Sequence, residues 1–264
     1  MPGYETDEPA EKLRYVSGMA ETPDTSPPAA SGNGIYLIAA HPSWRDSRVN
    51  QKLMAAVREL AAQGSTLPLV IQDLYASYPD YFIDVPAEQA RVDAAQLIVL
   101  MHPIQWYSMP ALQKLWFDEV LTYGWAYGAA SAEVGSQEQP PAGTPGTALR
   151  GKHLWLVATT GGPEDSYSAS SYNRYSFDAF LPPYEQTAAL CGMHFLPPLI
   201  LHGAHSVGKA EMLAHVKLFR ERLQGYPRWV DAPQTSSLAN SADAADAAPP
   251  PPPAALAHAL SSDS

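Results

Sequence analysis

Ile35-Tyr36-Leu37-Ile38-Ala39-Ala40-His41-Pro42-Ser43-Trp44-Arg45-Asp46-Ser47-Arg48-Val49-Asn50 decides the fold. Its first six residues are apolar and predict a buried strand. The next six break the pattern with proline and polar residues. From Ser47 the period changes to that of a helix, with Val49, Leu53, Ala56, Val57 and Leu60 on one face, so a helix is expected over Ser47 to Ala62.

The same unit recurs outward from this stretch. Strands are expected at Thr66 to Asp73, Gln96 to Met101, His153 to Thr159 and His194 to Leu201. Helices are expected at Pro86 to Asp93, opened by proline in its first turn, at Pro110 to Thr122 and at Lys209 to Gln224. Tyr172 to Cys191 reads as helical at least in part despite Pro182-Pro183, and residues 129–150, with Gly, Ser, Pro and Gln, read as a loop. Alternating strands and helices predict an α/β fold with a parallel, doubly wound sheet. The expectation is a flavodoxin-like five-stranded sheet of order 2-1-3-4-5 with helices on both faces; half of a larger Rossmann fold is the alternative.

Three segments at strand ends carry the chemistry. After the first strand come His41 and then Ser47, Arg48, Val49 and Asn50, which open a helix. Free N–H groups and the dipole's positive end attract a phosphate there, with donors from Ser47 and Asn50 and positive charge from His41 or Arg48. Simple capping by Asp46 or Ser47 is the competing use. After the third strand, Pro103, Ile104, Gln105, Trp106 and Tyr107 form a stiff aromatic ledge suited to a flat ring, with Gln105 placed for ribityl hydroxyls. Trp116 and Phe117, on the following helix, are read as core. After the fourth strand, Thr159, Thr160, Gly161 and Gly162 allow close backbone approach and present N–H donors, and Tyr167 follows as a candidate proton or hydrogen-bond donor to a quinone oxygen. A plain Gly-Gly turn with a surface tyrosine is the bland alternative. A phosphate cradle, a ring platform and a donor-lined turn together indicate a flavin site.

Other classes are disfavoured. The net charge is −11, and most of it lies at the two ends, so a basic nucleic-acid footprint is not expected. Residues 1–33 hold six Asp/Glu against two Lys/Arg and read as disordered, with Lys12 to Val16 as a short anchoring piece; residues 231–264 hold four Asp, no Lys or Arg and the run Pro249 to Pro253, and read as a low-complexity tail. The folded domain is expected over 34–230. Cys191 is the only cysteine, so an intrachain disulfide is impossible, and it reads as packed rather than reactive. No bilayer-spanning run or apolar signal core is seen, which makes a cytoplasmic protein the expectation. There is no Gly-Lys-Ser/Thr phosphate loop, Gly32-Asn33-Gly34 precedes its strand where a dinucleotide fingerprint would follow it, and no Gly-x-Ser-x-Gly elbow occurs. His202-x-x-His205 lacks a third ligand at helical spacing, so no metal is expected, and His153 and His194 read as structural.

Residues 34–226 resemble the flavodoxin-like NAD(P)H:quinone oxidoreductases, and within them the soluble ancillary subunits of bacterial glutathione-regulated potassium efflux systems. The resemblance rests on Ala40-His41-Pro42 with Ser47 to Asn50, His102 to Pro110, Leu115-Trp116 with Gly124-Trp125-Ala126-Tyr127-Gly128, Thr159 to Gly162, and Cys191-Gly192-Met193 running to Leu196-Pro197-Pro198. It implies a bound flavin: FMN as in the bacterial ancillary group, or FAD as in the animal enzymes. The short first loop and the lack of an adenine pocket favour FMN. It further implies NAD(P)H as co-substrate, a quinone or similar electrophile as acceptor, and a homodimer whose sites are completed by the partner. It adds a role beside a membrane potassium antiporter, with peripheral attachment to the inner membrane. The animal enzymes pair their tyrosine with a histidine six residues on; here Asn173 stands at that place after Tyr167. A regulatory subunit with a mainly structural flavin is the competing function, and an electron-carrying flavodoxin the third.

Overall fold

The protein is described here from a computed structural model that covers residues 32–64, 67–128 and 148–230. The expected tails, the Lys12 to Val16 piece and most of the 129–150 loop lie outside the described residues. Five strands, β1 (Gly34–Ala39), β2 (Leu69–Asp73), β3 (Ala95–Pro103), β4 (His153–Thr159) and β5 (His194–Leu201), form one sheet of order β2-β1-β3-β4-β5. All four pairings are parallel. The flavodoxin-like order expected from the sequence is the one observed.

Successive side chains on a strand face opposite ways, and each face of this sheet has its own apolar layer. Ile35, Leu37, Leu97, Val99 and Trp155 pack with Val49, Leu53, Val57 and Leu60 of α1 (Arg48–Gln63), and with Met212, Phe219 and Leu223 of α6 (Lys209–Gly225). Tyr36, Ile38, Ile98, Leu100, Leu154 and Leu156 face the other helices: α2 (Leu74–Ser77), α3 (Val85–Asp93), α4 (Ala111–Val120) and α5 (Pro182–Leu190). Burial on both faces explains why the central strands read as unbroken apolar runs. Trp116 and Phe117 lie in this second layer, as expected of core aromatics.

Most element bounds fall within two residues of the sequence reading, β3 running to Pro103 and α4 covering Ala111–Val120, and the departures with a clear backbone cause are these. β2 begins at Leu69, after Pro68, which has no N–H to give a ladder; Thr66, where the strand was expected to start, lies outside the described residues. Its carbonyl still accepts from Ile35 N at 2.7 Å. The Asp73 carboxylate caps Ala76 N and starts the short α2, which follows β2 without a break. In the 172–191 stretch only α5 is an α-helix, after a tight 3-10 turn at Phe177–Phe180; Pro182 and Pro183 open α5 instead of interrupting a helix.

One core group has no counterpart in the apolar pattern. Glu88 of α3 is fully buried and accepts hydrogen bonds from the Tyr36 and Tyr78 phenols, Trp116 Nε1, Gln72 Nε2 and Arg91 Nη1. Burial and this carboxylate together push the Tyr78 phenol up to about 12. The network ties β1, β2, α3 and α4 into one unit behind the sheet.

The connection from β1 to β2 leaves on one side and β3 lies on the other. The chain therefore parts at the carboxyl ends of β1 and β3, and a crevice opens at such a switch point.

Candidate functional site

Hydrogen bonds draw the three strand-end turns together. Asn50 Nδ2 donates to Thr159 Oγ1 at 2.9 Å, joining the start of α1 to the end of β4. Ile104 N donates to Thr159 O at 2.7 Å, joining the turn after β3 to the same residue. Thr160 N donates to Leu201 O and Gly203 N to Gly162 O, which adds the loop after β5. The turns thus share one edge of the sheet.

In the first turn, Ser47 caps α1: its Oγ accepts from Asn50 N at 3.2 Å and from Asn50 Nδ2 at 2.9 Å. Its own hydroxyl proton stays available, so capping and ligand donation coexist. The N–H groups of Arg48 and Val49, first in the helix, have no intrahelical acceptor. Val49 places its side chain in the core, so only its backbone can serve. The sequence reading gave positive charge to His41 or Arg48, and the geometry redirects both. His41 Nδ1 accepts from Ser43 N at 3.1 Å, which makes the ring a neutral Nε2–H donor, and burial lowers its proton affinity further. The Arg48 guanidinium donates to the carbonyls of His205 (3.0 Å) and Val207 (3.4 Å), fastening α1 to the loop before α6. Asn50 commits its NH2 to Ser47 and Thr159, and its buried Oδ1 has no partner among the described residues. What it offers is an acceptor, not the donor expected. Trp44, which the sequence reading passed over, stacks on His41 at 5.2 Å and carries a buried, unpartnered Nε1–H.

In the second turn Gln105 and Ser108 exchange backbone hydrogen bonds (2.9 and 3.0 Å), and Trp106 and Tyr107 between them have φ of 49° and 65°. This is a two-residue primed turn, a conformation that prefers Asn-Gly. The stiffness of the ledge comes from this closed turn rather than from proline. Trp106 is 94% exposed, and Tyr107 stacks on Phe180 at 5.1 Å. Pro103 ends β3 in register with Thr159. Gln105 is exposed, and its side chain has no hydrogen-bond partner among the described residues.

In the third turn the Thr160 N–H is taken by Leu201 O, while those of Gly161 and Gly162 have no acceptor among the described residues. A Cβ at Gly161 would meet only His205, at 3.5 Å. Its small size is not demanded by its protein neighbours, which leaves room for a ligand. At Gly162 a Cβ would sit 2.7 Å from Ser166 Oγ and 2.8 Å from Tyr172 Oη, so this glycine serves the loop's own packing. Tyr167 packs edge-on to Phe177 (5.4 Å) and near Phe180 and His202. Burial raises its phenol above the ordinary value, so it is protonated at neutral pH. Asn173 is taken up by Ser166 Oγ at 2.8 Å. Phe177, Phe180 and His202 were not foreseen as part of this edge; two phenylalanines three apart just before Pro182-Pro183 were the available signal for the first two.

The donors and acceptor here suit a phosphate followed by a polyhydroxylated tail and a ring. Ser47, Trp44 Nε1 and the α1 N–H groups are all donors, and the orphaned Asn50 Oδ1 suits a ribityl hydroxyl. Gly161 leaves space, and Tyr107 with Phe180 forms a flat apolar wall. Among the described residues no group of three or more His, Cys, Asp or Glu could hold a metal, and no helix is long and apolar enough to cross a membrane. Cys191 is buried, which pushes its thiol up to about 11.

The profile of the family described as flavodoxin-like fold matches residues 33–223. The glutathione-regulated potassium-efflux system ancillary protein KefG of Yersinia enterocolitica is 39% identical over 199 residues, covering 75% of this chain and 93% of that protein. Among solved structures, a thermophilic tryptophan halogenase from Streptomycin violaceusniger aligns with a TM-score of 0.60 at 34% identity, over 71% of this chain and 97% of the other. The general stress protein 14 of Treponema denticola, in complex with FMN, aligns with a TM-score of 0.59 at 32% identity, over 75% and 98%. Such different descriptions on one scaffold leave the reaction to be argued from the site.

Proposed function

The chain belongs to the flavodoxin-like fold family, and from that membership we propose that it is an FMN-dependent NAD(P)H:quinone oxidoreductase that works as the ancillary subunit of a potassium antiporter. The observation that carries the reading is the junction at Thr159, where the phosphate-type helix start, the aromatic turn and the glycine turn meet. The FMN carried by the Treponema denticola relative supports the cofactor, and the KefG relative supports the partner. A homodimer whose partner closes each site belongs to the same reading, with peripheral attachment to the inner membrane through the antiporter.

Ser47, the Arg48 and Val49 N–H groups and Trp44 Nε1 would hold the phosphate, and Asn50 Oδ1 a ribityl hydroxyl. Ile104 to Tyr107 would line the ring, and Gly161 and Gly162 would give their N–H groups to its pyrimidine edge, where they favour negative charge. FMN bound there would supply the two-electron hydride chemistry of a ping-pong cycle between NAD(P)H and a quinone. Tyr107 and Phe180 wall the space that the two substrates occupy in turn. Tyr167, protonated at neutral pH, donates a hydrogen bond and then its proton to the quinone oxygen.

The test is the visible spectrum of the purified chain and its response to NADH or NADPH without oxygen. A yellow protein that bleaches, and regains its colour with a quinone, supports the reading. A chain that stays colourless after incubation with FMN or FAD overturns it. The KefG likeness also supports a second reading, in which docking is the main role and the flavin is structural. Potassium efflux measured with a flavin-loaded variant that transfers no hydride separates the two: full efflux means docking, lost efflux means catalysis.

A further inference from the structure

The free edge of the sheet carries an apolar groove at the point where the chain enters β1. β2 is the outermost strand and pairs only with β1 among the described residues. Ile35 N donates to Pro68 O at 2.7 Å. Backbone groups alternate sides along a strand, so those of Leu69 and Ile71 point away from β1, toward the open edge. Val70 stands in register with Tyr36 and shares its face of the sheet, the face of α3. The helix leaves that edge open: Val70, inside the strand, is 45% exposed. With Gly34, Pro68, Ala90 and Ala94 it lines a groove of about 250 Å³. Small-molecule sites run to about 300 to 1,000 Å³ and add free, converging polar groups. Here the two polar lining side chains, Tyr36 and Arg91, both donate to the buried Glu88. The space suits apolar side chains of a peptide whose backbone pairs with the edge.

We propose that this groove and the β2 edge are the docking site of the chain's own segment Leu13-Arg14-Tyr15-Val16, laid along β2 as a sixth strand. Residues 1–31 lie outside the described residues, and they join the fold at the groove itself. Gly34, the first residue of β1, lines it; a Cβ there would sit 3.0 Å from Ala94 O and 3.2 Å from Pro68 O. The 15 residues from Ser17 to Ser31 span at most about 50 Å when extended, and the five residues of β2 occupy about 17 Å. The tether therefore brings the segment to any part of the edge, at an effective concentration of about millimolar order. Within residues 1–31 this is the one place where aliphatic, aromatic and β-branched residues follow one another; elsewhere proline, acidic and small residues break the run. Side chains alternate along a strand, so Leu13 and Tyr15 share one face and fill the groove beside Val70, while Arg14 takes the other. An open edge with an exposed valine is a template for pairing between molecules, and a tethered strand occupies it first. The groove lies at the amino ends of the strands, opposite the three turns, so its occupancy is independent of the flavin.

Two measurements on the full-length chain test the docking. In the first, Val70→Cys is combined with Leu13→Cys or Tyr15→Cys and treated with a short bis-maleimide. The native Cys191 is buried and its thiol is pushed up to about 11, so it stays silent. The expected product is a link within one molecule, formed at a rate independent of protein concentration. It forms at least about tenfold faster than the link from the same positions to Leu213→Cys, an exposed site on α6 across the sheet. Links between molecules that rise with concentration assign the edge to a second copy and overturn the docking, as does a rate no faster than the control. The second measurement is amide hydrogen exchange. Leu13→Asp with Tyr15→Asp should speed exchange at Leu69 and Ile71 about tenfold or more and leave Val99, in the central β3, unchanged. Equal exchange at Leu69 and Ile71 in wild type and this variant overturns the sixth strand.

Discussion

Lowering the pH should unfold this protein through His102, a residue whose neighbours allow only the neutral ring. His102 sits near the end of β3 with no exposed surface. Its Nδ1 lies 3.0 Å from Pro103 O, and its Nε2 lies 3.5 Å from the Tyr184 hydroxyl, on whose ring it stacks. The carbonyl requires Nδ1–H, which leaves Nε2 to accept. Among the described residues no carboxylate acts on the ring, and burial pushes its pKa down from 6.5 to about 4. The unfolded chain takes up this proton near 6.5, whereas the folded chain resists it until near 4. Between those values the unfolded state binds more protons, so stability falls as pH falls through the window and levels off below it. The gap is worth about 3 kcal/mol at 1.36 kcal/mol per pH unit. Urea unfolding of the flavin-free chain from about pH 7 to about pH 4.5 measures the slope. His102→Gln, which keeps an amide near the same two partners, should flatten it by about that amount. His215, likewise pushed down to about 4 by burial and by Arg222, contributes a second slope that this variant leaves in place. Parallel pH curves for wild type and His102→Gln would refute the reasoning.

Glu88→Ala removes the acceptor for two phenols, an indole and a guanidinium, and should cost about 3 to 5 kcal/mol in urea unfolding; a loss under about 1 kcal/mol would show the network to be dispensable. Replacing Trp106-Tyr107 by Asn-Gly gives the primed turn the residues it prefers, and should raise stability by about 1 to 3 kcal/mol while weakening flavin and quinone binding. Unchanged binding would remove the aromatic pair from the site. Gly161→Ala should leave unfolding within about 0.5 kcal/mol of wild type and still reduce flavin uptake, because its Cβ enters space the protein does not fill. Gly162→Val should lower both, since its Cβ would strike Ser166 Oγ, held by Asn173, and Tyr172 Oη. Equal stability of the two variants, read by thermal unfolding, would contradict that distinction.

The fold was legible because the central strands are buried on both faces and each is followed by a change of period. β4 and β5 follow the bounds their apolar runs predict, His153–Thr159 and His194–Leu201. Bounds slipped where one residue's backbone chemistry decided: Pro68 delayed β2, and Pro182 began a helix that the hydrophobic pattern had started earlier. Glu88 escaped notice because a charged residue on a short helix reads as a solvated face. Its five partners come from Tyr36, Gln72, Tyr78, Arg91 and Trp116, and only the folded chain assembles them. Residue types at the three turns were legible in the same way, but their roles were not. Nothing in local propensity puts Trp106 and Tyr107 at positive φ; the exchange between Gln105 and Ser108 and the register of Pro103 with Thr159 impose it.

The electrostatics of the cradle follow from long-range bonds of the same kind. A histidine and an arginine beside a helix start read naturally as two cations for one phosphate. Folding gives His41 a donor at Nδ1, which fixes it neutral, and gives Arg48 two carbonyls of the β5–α6 loop, which turn its guanidinium aside. On the proposed reading the anion would be left to oriented neutral dipoles: the first N–H groups of α1, the Ser47 hydroxyl and the Trp44 indole. Such donors bind by geometry, at fixed positions, and they select a tetrahedral group held at one point over a diffuse negative charge. Arg48 then has a different task, clamping α1 to the loop that carries His202 and His205. The residue that reads as a phosphate's counter-ion is the one that holds the first turn and the β5–α6 loop in a fixed relation.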